Sequence, residues 1–598
     1  MGPQWQVLAS AAKAVSNLRA LVGTQERVYS KKTVHLRMHP ALAVPELRLL
    51  IIDATKSHHW QLRLATLLAL ALTCRGFLEP ALDVIWSSQS DLGHLVQCLP
   101  EDLWTVEDAT EGTLILREPP RPTTQQDWER LDFYARRVRE LCYAFGPPPS
   151  RFRKLRPVVS EALFFWLHSS RPGHQLLPNL SRLEWPGNAP YQYHGSVHLL
   201  FGQRLSTLQM GWWGTTGGGM SGTIAPALSN LPQRSPDIEE LRLMYSGRGG
   251  QVVQPVQPFL SNVFQSLTKL KCYSVRSDLP ISFSDLASLA ALPHLRELGV
   301  VTILSPMVVA VPRRAGQGIL TDLVFRSLDD LFLSSPSMDS ISQVLATCQF
   351  PHLTKLCIMS SRASTTNAMD TALRHIHERC SHASLTDIEV SVGDDAEPEE
   401  QGVQAITAGI LQRLGDFHSL RNLYFSTEMC IVLDDDALKG LAMSWSRMES
   451  LELMSGASYP WRTPTATTLQ GIAYLARYCP SLSSLSIDVD TSATDVSFNT
   501  TPGGGYCNGN LRRISFGRSR AHGKPEKIAA FLLAIFPNLK MVENNEDDAE
   551  DDDEDDEEHE EQDKSWGPVR DVLQVLQMTV HWQRRAGGSA KSHATQFV

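Results

Sequence analysis

Residues with the types and spacing of a catalytic or metal site are few in this 598-residue chain. His375 and His377 have zinc-binding side chains, but they lie two apart on a predicted helix and so point to different faces, with no third ligand near in sequence. The run Gly217–Gly219 lacks the Gly-Lys-Ser/Thr ending of a phosphate-binding loop. Spacing reveals no Ser/His/Asp or Cys/His arrangement. We therefore predict a non-catalytic chain without metal or cofactor.

The acidity of the chain is confined to one tract. The formal net charge is −10, yet Glu546–Asp563 contains 15 acidic residues and no Lys or Arg. The rest has 55 Lys and Arg against 50 Asp and Glu, so it is nearly neutral. This balance excludes a dominant basic face for nucleic acid. The tract lacks apolar residues to fold around, which predicts a solvated, disordered segment, with docking of a basic partner as the alternative.

The composition is that of a soluble folded chain, with 42% hydrophobic and 20% charged residues. Lys13 and Arg19 interrupt the first 30 residues, which argues against a secretory signal. The longest apolar span, Leu64–Cys74, is shorter than the roughly 20 residues that a bilayer requires. Without any Cys-x-x-Cys pair, Cys272 and Cys357 are interpreted as reduced, buried small hydrophobes. We expect a cytoplasmic or nuclear protein that binds neither membrane nor nucleic acid.

A short pattern, apolar-x-x-apolar-x-apolar, recurs through most of the chain with a mean step of about 30 residues. An earlier copy is suggested at Val138/Leu141/Tyr143. The thirteen main copies begin at Leu180, Leu205, Ile238, Leu267, Leu295, Leu328, Leu353, Leu385, Leu420, Met448, Leu482, Leu511 and Leu539.

Each copy has the pattern of a strand followed by a return helix. Its second and third apolar residues are two apart and share one face of an extended strand, while intervening residues such as Glu240 and Glu452 face the other way. Helical spacing follows in Thr468–Tyr478 and Ile528–Phe536. Neither element buries its apolar side alone, so stacking is required. The predicted fold is α/β, a leucine-rich-repeat solenoid of parallel strands with return helices, whose concave face holds a protein.

The segment that precedes several strands, such as Cys479-Pro480-Ser481-Leu482, has a proline where the helix must end. The stretch Leu475–Pro480 resembles the cysteine-containing repeats of F-box leucine-rich-repeat proteins. The Asn that many such repeats place after the strand occurs here at Asn188, and the same slot elsewhere holds other residues.

Residues 38–86 differ from the repeats and predict three short helices. Pro45–Ile52 has proline in its first turn, Leu64–Leu72 is nearly all apolar, and a third helix is expected to start at Glu79 and reach Trp86. Because so apolar a module of about 50 residues exposes surface that it cannot cover, a partner is expected.

This segment resembles an F-box, especially that of many fungal F-box proteins, through Pro45-Glu46, Ile52, Leu67–Leu70, Cys74-Arg75 and Phe77. Val44 stands where the family usually has Leu. The resemblance implies a substrate-recognition subunit of an SCF-type cullin ubiquitin ligase, which docks a Skp-type adaptor and, through it, a cullin. The adaptor-binding residues that it implies are Pro45, Glu46, Leu49, Ile52, Leu67, Leu70, Cys74 and Phe77. The alternative is that these residues form the core of a helical cap on the array.

The resulting layout has six segments. We expect an N-terminal extension (1–37), an F-box-like module (38–86), a connector with a first atypical repeat (87–177), the solenoid (178–545), the acidic tract (546–563) and a C-terminal capping segment (564–598) with a helix over Val569–Met578.

A rival interpretation rests on a repeat array followed by an acidic tail. That order resembles Ran-type GTPase-activating proteins, which position a GTPase, and acidic leucine-rich nuclear proteins, which bind basic chromatin proteins.

Overall fold

A computed structural model describes residues 40–57, 60–109, 113–117, 121–143, 156–171, 173–186, 196–214, 224–247, 257–277, 282–302, 322–393, 405–455, 465–492, 501–517, 519–543 and 565–579. The chain divides into two compact units, Met1–Ser277 and Asp278–Val598. The extension 1–37, the acidic tract and the run Gly217–Gly219 lie outside the described residues. None of the described helices is long and apolar enough to cross a lipid bilayer.

Six parallel strands of the repeat type lie within the described residues of the first unit. Leu141, Leu183, Leu208 and Leu241 are directly opposite one another on neighbouring strands, and all are fully buried. A slip of one residue would turn each leucine to the outside, so burial sets the register. The strands are Ser88–Gln89, Glu140–Cys142, Arg182–Trp185, Thr207–Gly214, Glu240–Gly247 and Cys272–Ser277.

Nine strands of the same kind lie in the part of the second unit that the structure describes. One buried apolar residue from each strand aligns across the sheet, from Leu298 to Val542. The strands are Glu297–Thr302, Asp330–Ser335, Lys355–Ser360, Asp387–Val392, Asn422–Thr427, Ser450–Ser455, Ser484–Ile487, Arg513–Ser515 and Met541–Glu543. The described ranges of the two units thus include fifteen such strands, and the predicted α/β repeat architecture with parallel strands is confirmed.

Helices connect most of these strands and cover their buried side. Helix Leu469–Tyr478 is capped by Thr468, whose hydroxyl accepts from the Gln470 N–H, and Pro525–Ile535 begins with proline in its first turn. Both were predicted from helical spacing. The other described helices of eight or more residues between these strands are Gln125–Ala135, Glu161–Ser169, Gln257–Ser266, Phe283–Ala290, Met338–Thr347, Thr366–Arg379 and Asp435–Ser444.

Two details of the predicted repeats are wrong. The copy assigned to Leu267/Leu270/Cys272 starts three residues later, because Tyr273 is the residue that lies opposite Leu241 and is buried. Leu267 instead ends the preceding helical turn, where its N–H donates to the Val263 carbonyl. Cys272 and Cys357 are half-buried on the outward side of their strands, so they are not core residues.

The N-terminal module consists of four helices, α1 (Pro40–Ala43), α2 (Pro45–Ala54), α3 (Trp60–Thr73) and α4 (Arg75–Ser87). α2 and α3 match the predicted helices. The start expected at Glu79 is wrong, since α4 begins at Arg75 and holds Pro80 inside it. Its extra first turn buries Phe77 in the core of the module, and this burial outweighs the hydrogen bond that the proline removes.

The connector contributes to the first unit in two ways. The apolar run Leu114–Leu116 suggests a strand, and the strand found there is Thr113–Arg117, which pairs with Thr105–Ala109 and Arg156–Val159 in a separate three-stranded sheet. The suggested early copy at Leu141 is confirmed as the strand Glu140–Cys142. The sequence suggests a helix over Trp128–Arg139 in this region. The helix found, Gln125–Ala135, ends four residues before Arg139 because the chain must extend into that strand.

Residues 565–579 form a helix, which confirms the one predicted over Val569–Met578. Trp566 is fully buried and stacks on Phe516 with ring centroids 4.5 Å apart. Its indole N–H donates to the Ser519 carbonyl at 2.7 Å. The helix therefore covers the C-terminal end of the second unit's core.

Candidate functional site

The helical module has a small core of its own. Ile52, Leu67, Ala71, Phe77 and Ala81 form one buried cluster that joins α2, α3 and α4. Leu70 and Cys74 are half-buried and pack against that cluster. Of the residues predicted to bind an adaptor, Ile52, Leu67 and Phe77 are at most 4% exposed, so a partner cannot reach them while the module is folded. Their assignment as contact residues is therefore corrected to core residues.

The remaining predicted residues lie at the surface of α2. Pro45 and Glu46 are exposed at its N-terminus, and the Leu49 side chain is 56% exposed. The sequence reasoning missed Leu47, Leu50 and Ile51, which are also exposed. Their spacing of three and four residues puts these three on one face of the helix. The 47/50/51 spacing in the sequence was a signal for this stripe, but it does not reveal which side faces the core.

This stripe, Leu47, Leu50 and Ile51, is the candidate docking surface. Leu50 is the most exposed of the three at 63%. Val44 and Leu72 add exposed apolar groups on the same module. Single exposed leucines are ordinary on protein surfaces, but several on one short helix indicate a surface that a partner covers.

Arg137 attaches the module to the connector. Its side chain is 4% exposed and forms ion pairs with Glu79 and Asp83 of α4. Its guanidinium also lies 4.1 Å from the centroid of the Phe133 ring and donates to the Phe133 carbonyl. A buried cation with two carboxylates and a ring face is held in one geometry.

A second contact reinforces this attachment. Trp86, near the end of α4, stacks on Tyr134 of the connector helix with centroids 4.5 Å apart. Both rings are buried. Within the first unit, the module and the first repeat strands are therefore packed as one body.

A cavity of about 780 Å³ lies between α3, α4 and the connector. His94 and Cys98 line it, and His94 Nδ1 lies 3.2 Å from Asp91 Oδ1, so residue types that occur in nucleophilic sites are found here. The Cys98 thiol, however, donates to the His94 backbone carbonyl, and burial raises the pKa of Cys98 to about 12. A neutral thiol is a poor nucleophile. The arrangement fixes a helical turn and lacks the features of an activated site.

The two histidines considered as zinc ligands contact different neighbours. His375 Nδ1 lies 2.9 Å from Ser342 Oγ in the preceding repeat, and burial lowers the pKa of His375. His377 Nε2 lies 2.7 Å from Asp416 Oδ2 in the following repeat. The prediction that they point to different faces is confirmed. No group of three or more metal-ligating side chains occurs in the part of the chain that the structure describes.

The outward sheet face of Met1–Ser277 neutralises its own charges. The Arg182 guanidinium lies 2.7 Å from Glu184 two residues along the same strand, and this hydrogen bonding raises the pKa of Arg182. Arg242 pairs with Glu240 in the same way. The face therefore offers no excess charge of either sign at these strands.

Comparison with known proteins leaves the family open. No protein family and no curated protein match the chain. Among solved structures, it is similar to a chain in the crystal structure of the Rad7 and Elc1 complex in yeast, with 13% identity over 58% of this chain and 78% of that chain. The TM-score of this match is 0.28, a value too low to support a conclusion about function.

Proposed function

We propose that this chain is the substrate-recognition subunit of an SCF-type cullin ubiquitin ligase. The N-terminal module docks a Skp-type adaptor and, through it, a cullin, while the outward face of the repeats holds a target protein. The observation that carries the proposal is the exposed apolar stripe Leu47, Leu50 and Ile51 on a module that already has its own core. A cap whose only task is to close the array has no need of such a stripe on its outer side.

The adaptor surface is narrower than the resemblance implied. It consists of the stripe Leu47, Leu50 and Ile51 together with Glu46 from the original set, which helical spacing places beside Leu50. Pro45 and Leu49 are exposed on the other side of α2. Ile52, Leu67 and Phe77 support this surface from beneath, because they hold α2 on α3 and α4.

The proposed mechanism is proximity. The chain performs no bond chemistry; it holds lysines of the target near a charged ubiquitin-conjugating enzyme and so raises their effective concentration. The distance between adaptor and target must then be well defined. The contacts of Arg137 with Glu79 and Asp83, and of Trp86 with Tyr134, support this role because they leave no flexible linker between the module and the first strands.

The test is a pull-down with a purified Skp-type adaptor. In the double variant Leu50→Asp/Ile51→Asp, we expect adaptor binding to be lost, since two charges would be buried in an apolar interface. The thermal unfolding profile should be retained, because both side chains are exposed in the free chain. Ile52→Asp is unsuitable because Ile52 belongs to the core.

Met443→Asp is the matched control, because Met443 is 58% exposed on a helix of the second unit. It should bind the adaptor as the unchanged chain does. Failure of the unchanged chain to bind at micromolar concentration, or full binding by the double variant, would refute the proposal.

A further inference from the structure

The outward sheet face of Asp278–Val598 has a composition unlike that of the first unit. Buried and outward side chains alternate along each strand from Glu297 to Ser455, so the register sorts the outward residues into rows across the sheet. One row contains Glu297, Asp330, Lys355, Asp387 and Asn422. The next contains Phe332, Cys357, Glu389, Tyr424 and Glu452.

Over the strands from Glu297 to Ser455, these two rows hold five carboxylates and one cation. None of the five carboxylates forms an ion pair with another residue of the described ranges, whereas Arg182 and Arg242 each pair with a carboxylate in the first unit. Partial burial, with the nearby carboxylates of Glu297 and Asp387, raises the pKa of Asp330 against the opposing effect of Lys355. The face therefore carries negative charge that the described part of the chain does not neutralise.

An aromatic residue, Tyr424, lies between two of these carboxylate residues. Tyr424 is directly opposite Glu389 on one neighbouring strand and Glu452 on the other. Adjacent strands are about 4.8 Å apart, so the two glutamates are separated by about 10 Å with the tyrosine between them. An arginine or lysine side chain fits such a place, because its stem packs on the ring while its charge meets a carboxylate.

We propose that the outward sheet face of Asp278–Val598, centred on Glu389, Tyr424 and Glu452, binds an extended arginine- or lysine-rich segment of a partner protein. In an extended polyproline-II chain, which has three residues per turn and rises about 3.1 Å per residue, cations three residues apart share one face at about 9 Å, close to the separation of the two glutamates. If the chain is a ligase receptor, this segment belongs to its target, and in that respect the inference rests on the proposed function. Binding of the basic segment to this face does not depend on the ligase role.

The experiment measures fluorescence anisotropy of a labelled peptide with five Arg-Ser-Gly repeats, titrated with the full chain. The test variant is Glu389→Gln/Glu452→Gln. The matched control is Glu378→Gln/Asp436→Asn, which removes the same charge from exposed helix positions of the same unit. We expect the test variant to weaken binding about tenfold at physiological salt and the control to leave it within about twofold.

The acidic tract Glu546–Asp563 is unchanged in all three proteins, so the difference between the two variants reports on the sheet face. If the test and control variants bind the peptide with equal affinity, the inference is overturned, because binding is then due to the tract or to net charge. The absence of peptide binding by the unchanged chain would overturn it as well.

The adaptor pull-down separates this result from the proposed function. The test variant should still bind the adaptor, because Glu389 and Glu452 lie outside the N-terminal module. If the unchanged chain binds the peptide through these glutamates but does not bind the adaptor, this inference is supported and the proposed ligase role is refuted.

Discussion

The Arg137 Nε atom lies 3.1 Å from Asp83 Oδ1, and this contact links the connector to α4. The arginine side chain is 4% exposed, whereas that of Asp83 is 63% exposed. The buried cation therefore needs the carboxylate to compensate its charge, while water can solvate the carboxylate. Removing Asp83 would leave a buried charge with less compensation, while removing Arg137 would leave carboxylates that water can solvate.

Arg137→Met should loosen the module from the repeats. The loss of charge-assisted contacts to Glu79 and Asp83 is expected to cost about 1.5–3 kcal/mol locally. Hydrogen exchange should rise in α4 and change little in the second unit. Arg139→Met is the control, because Arg139 is an exposed neighbour on the same connector. Unchanged exchange in α4 would contradict the linking role.

Gly471→Ala should destabilise its repeat although alanine favours a helix. The Asp435 carboxylate accepts hydrogen bonds from the N–H and hydroxyl of Thr468, at 2.7 and 2.6 Å, and so caps the next helix. A Cβ at Gly471 would lie 2.5 Å from Asp435 Oδ1. We expect a net loss of about 1 kcal/mol.

Gly440→Ala is the matched control, since open space surrounds Gly440 on a neighbouring helix. This substitution should raise the free energy of unfolding by up to about 1 kcal/mol, a change that chemical denaturation can resolve. A stabilising Gly471→Ala would show that the carboxylate moves aside without cost.

Trp566→Ala should expose the end of the second unit. The ring is fully buried on Phe516, and a buried tryptophan replaced by alanine typically costs about 3–5 kcal/mol. Hydrogen exchange in Arg513–Ser515 and Met541–Glu543 should increase. Val575→Ala, at a position 56% exposed on the same helix, should leave those strands protected.

Alkaline pH should destabilise the fold through its buried thiols. Burial raises the pKa of Cys98, Cys380 and Cys479 from 9.0 to about 12. Unfolded thiols then ionise before folded ones do, so the stabilising contribution is complete below pH 9 and is lost as pH rises toward 12. The free energy of unfolding, followed by denaturant titration, should fall over that range. Cys98→Ala should reduce the slope, and an identical slope would argue against burial of that thiol.

Alkylation should distinguish the cysteines at pH 8. None of the ten cysteines, all of which lie within the described ranges, forms a disulfide, and Cys507 is the exposed one. We expect iodoacetamide to modify Cys507 first, with Cys380 and Cys479 modified only after unfolding. Peptide mass spectrometry gives the order. Early modification of Cys479 in the folded chain would contradict the described core.

The repeats could be predicted because burial requires apolar residues at fixed spacing on every strand. The copy at Leu267 was misplaced because Leu267 and Leu270 are both buried, one at a helix end and one before a strand, and either fits the pattern. The strand Ser88–Gln89 was missed because Gln89 is polar at the position that Leu141 fills in the next strand.

The docking surface could be predicted only in outline. Ile51 and Ile52 are adjacent and chemically identical, yet the first is 38% exposed and the second 4%. When apolar residues surround a helix, its periodicity does not distinguish the face toward its own core from the face toward a partner. The position of α3 and α4 decides this, and it depends on tertiary packing.

The aligned rows of the second unit also govern where the chain can change in length. Leu331 and Leu356 are 25 residues apart, Ile388 and Leu423 are 35 apart, and the members of each pair still lie on adjacent strands in the same register. The extra residues are taken up by helices and connections outside the ladder. Insertions can therefore accumulate between strands and diversify the rim of the array, while a single added residue within a strand would invert every side chain beyond it.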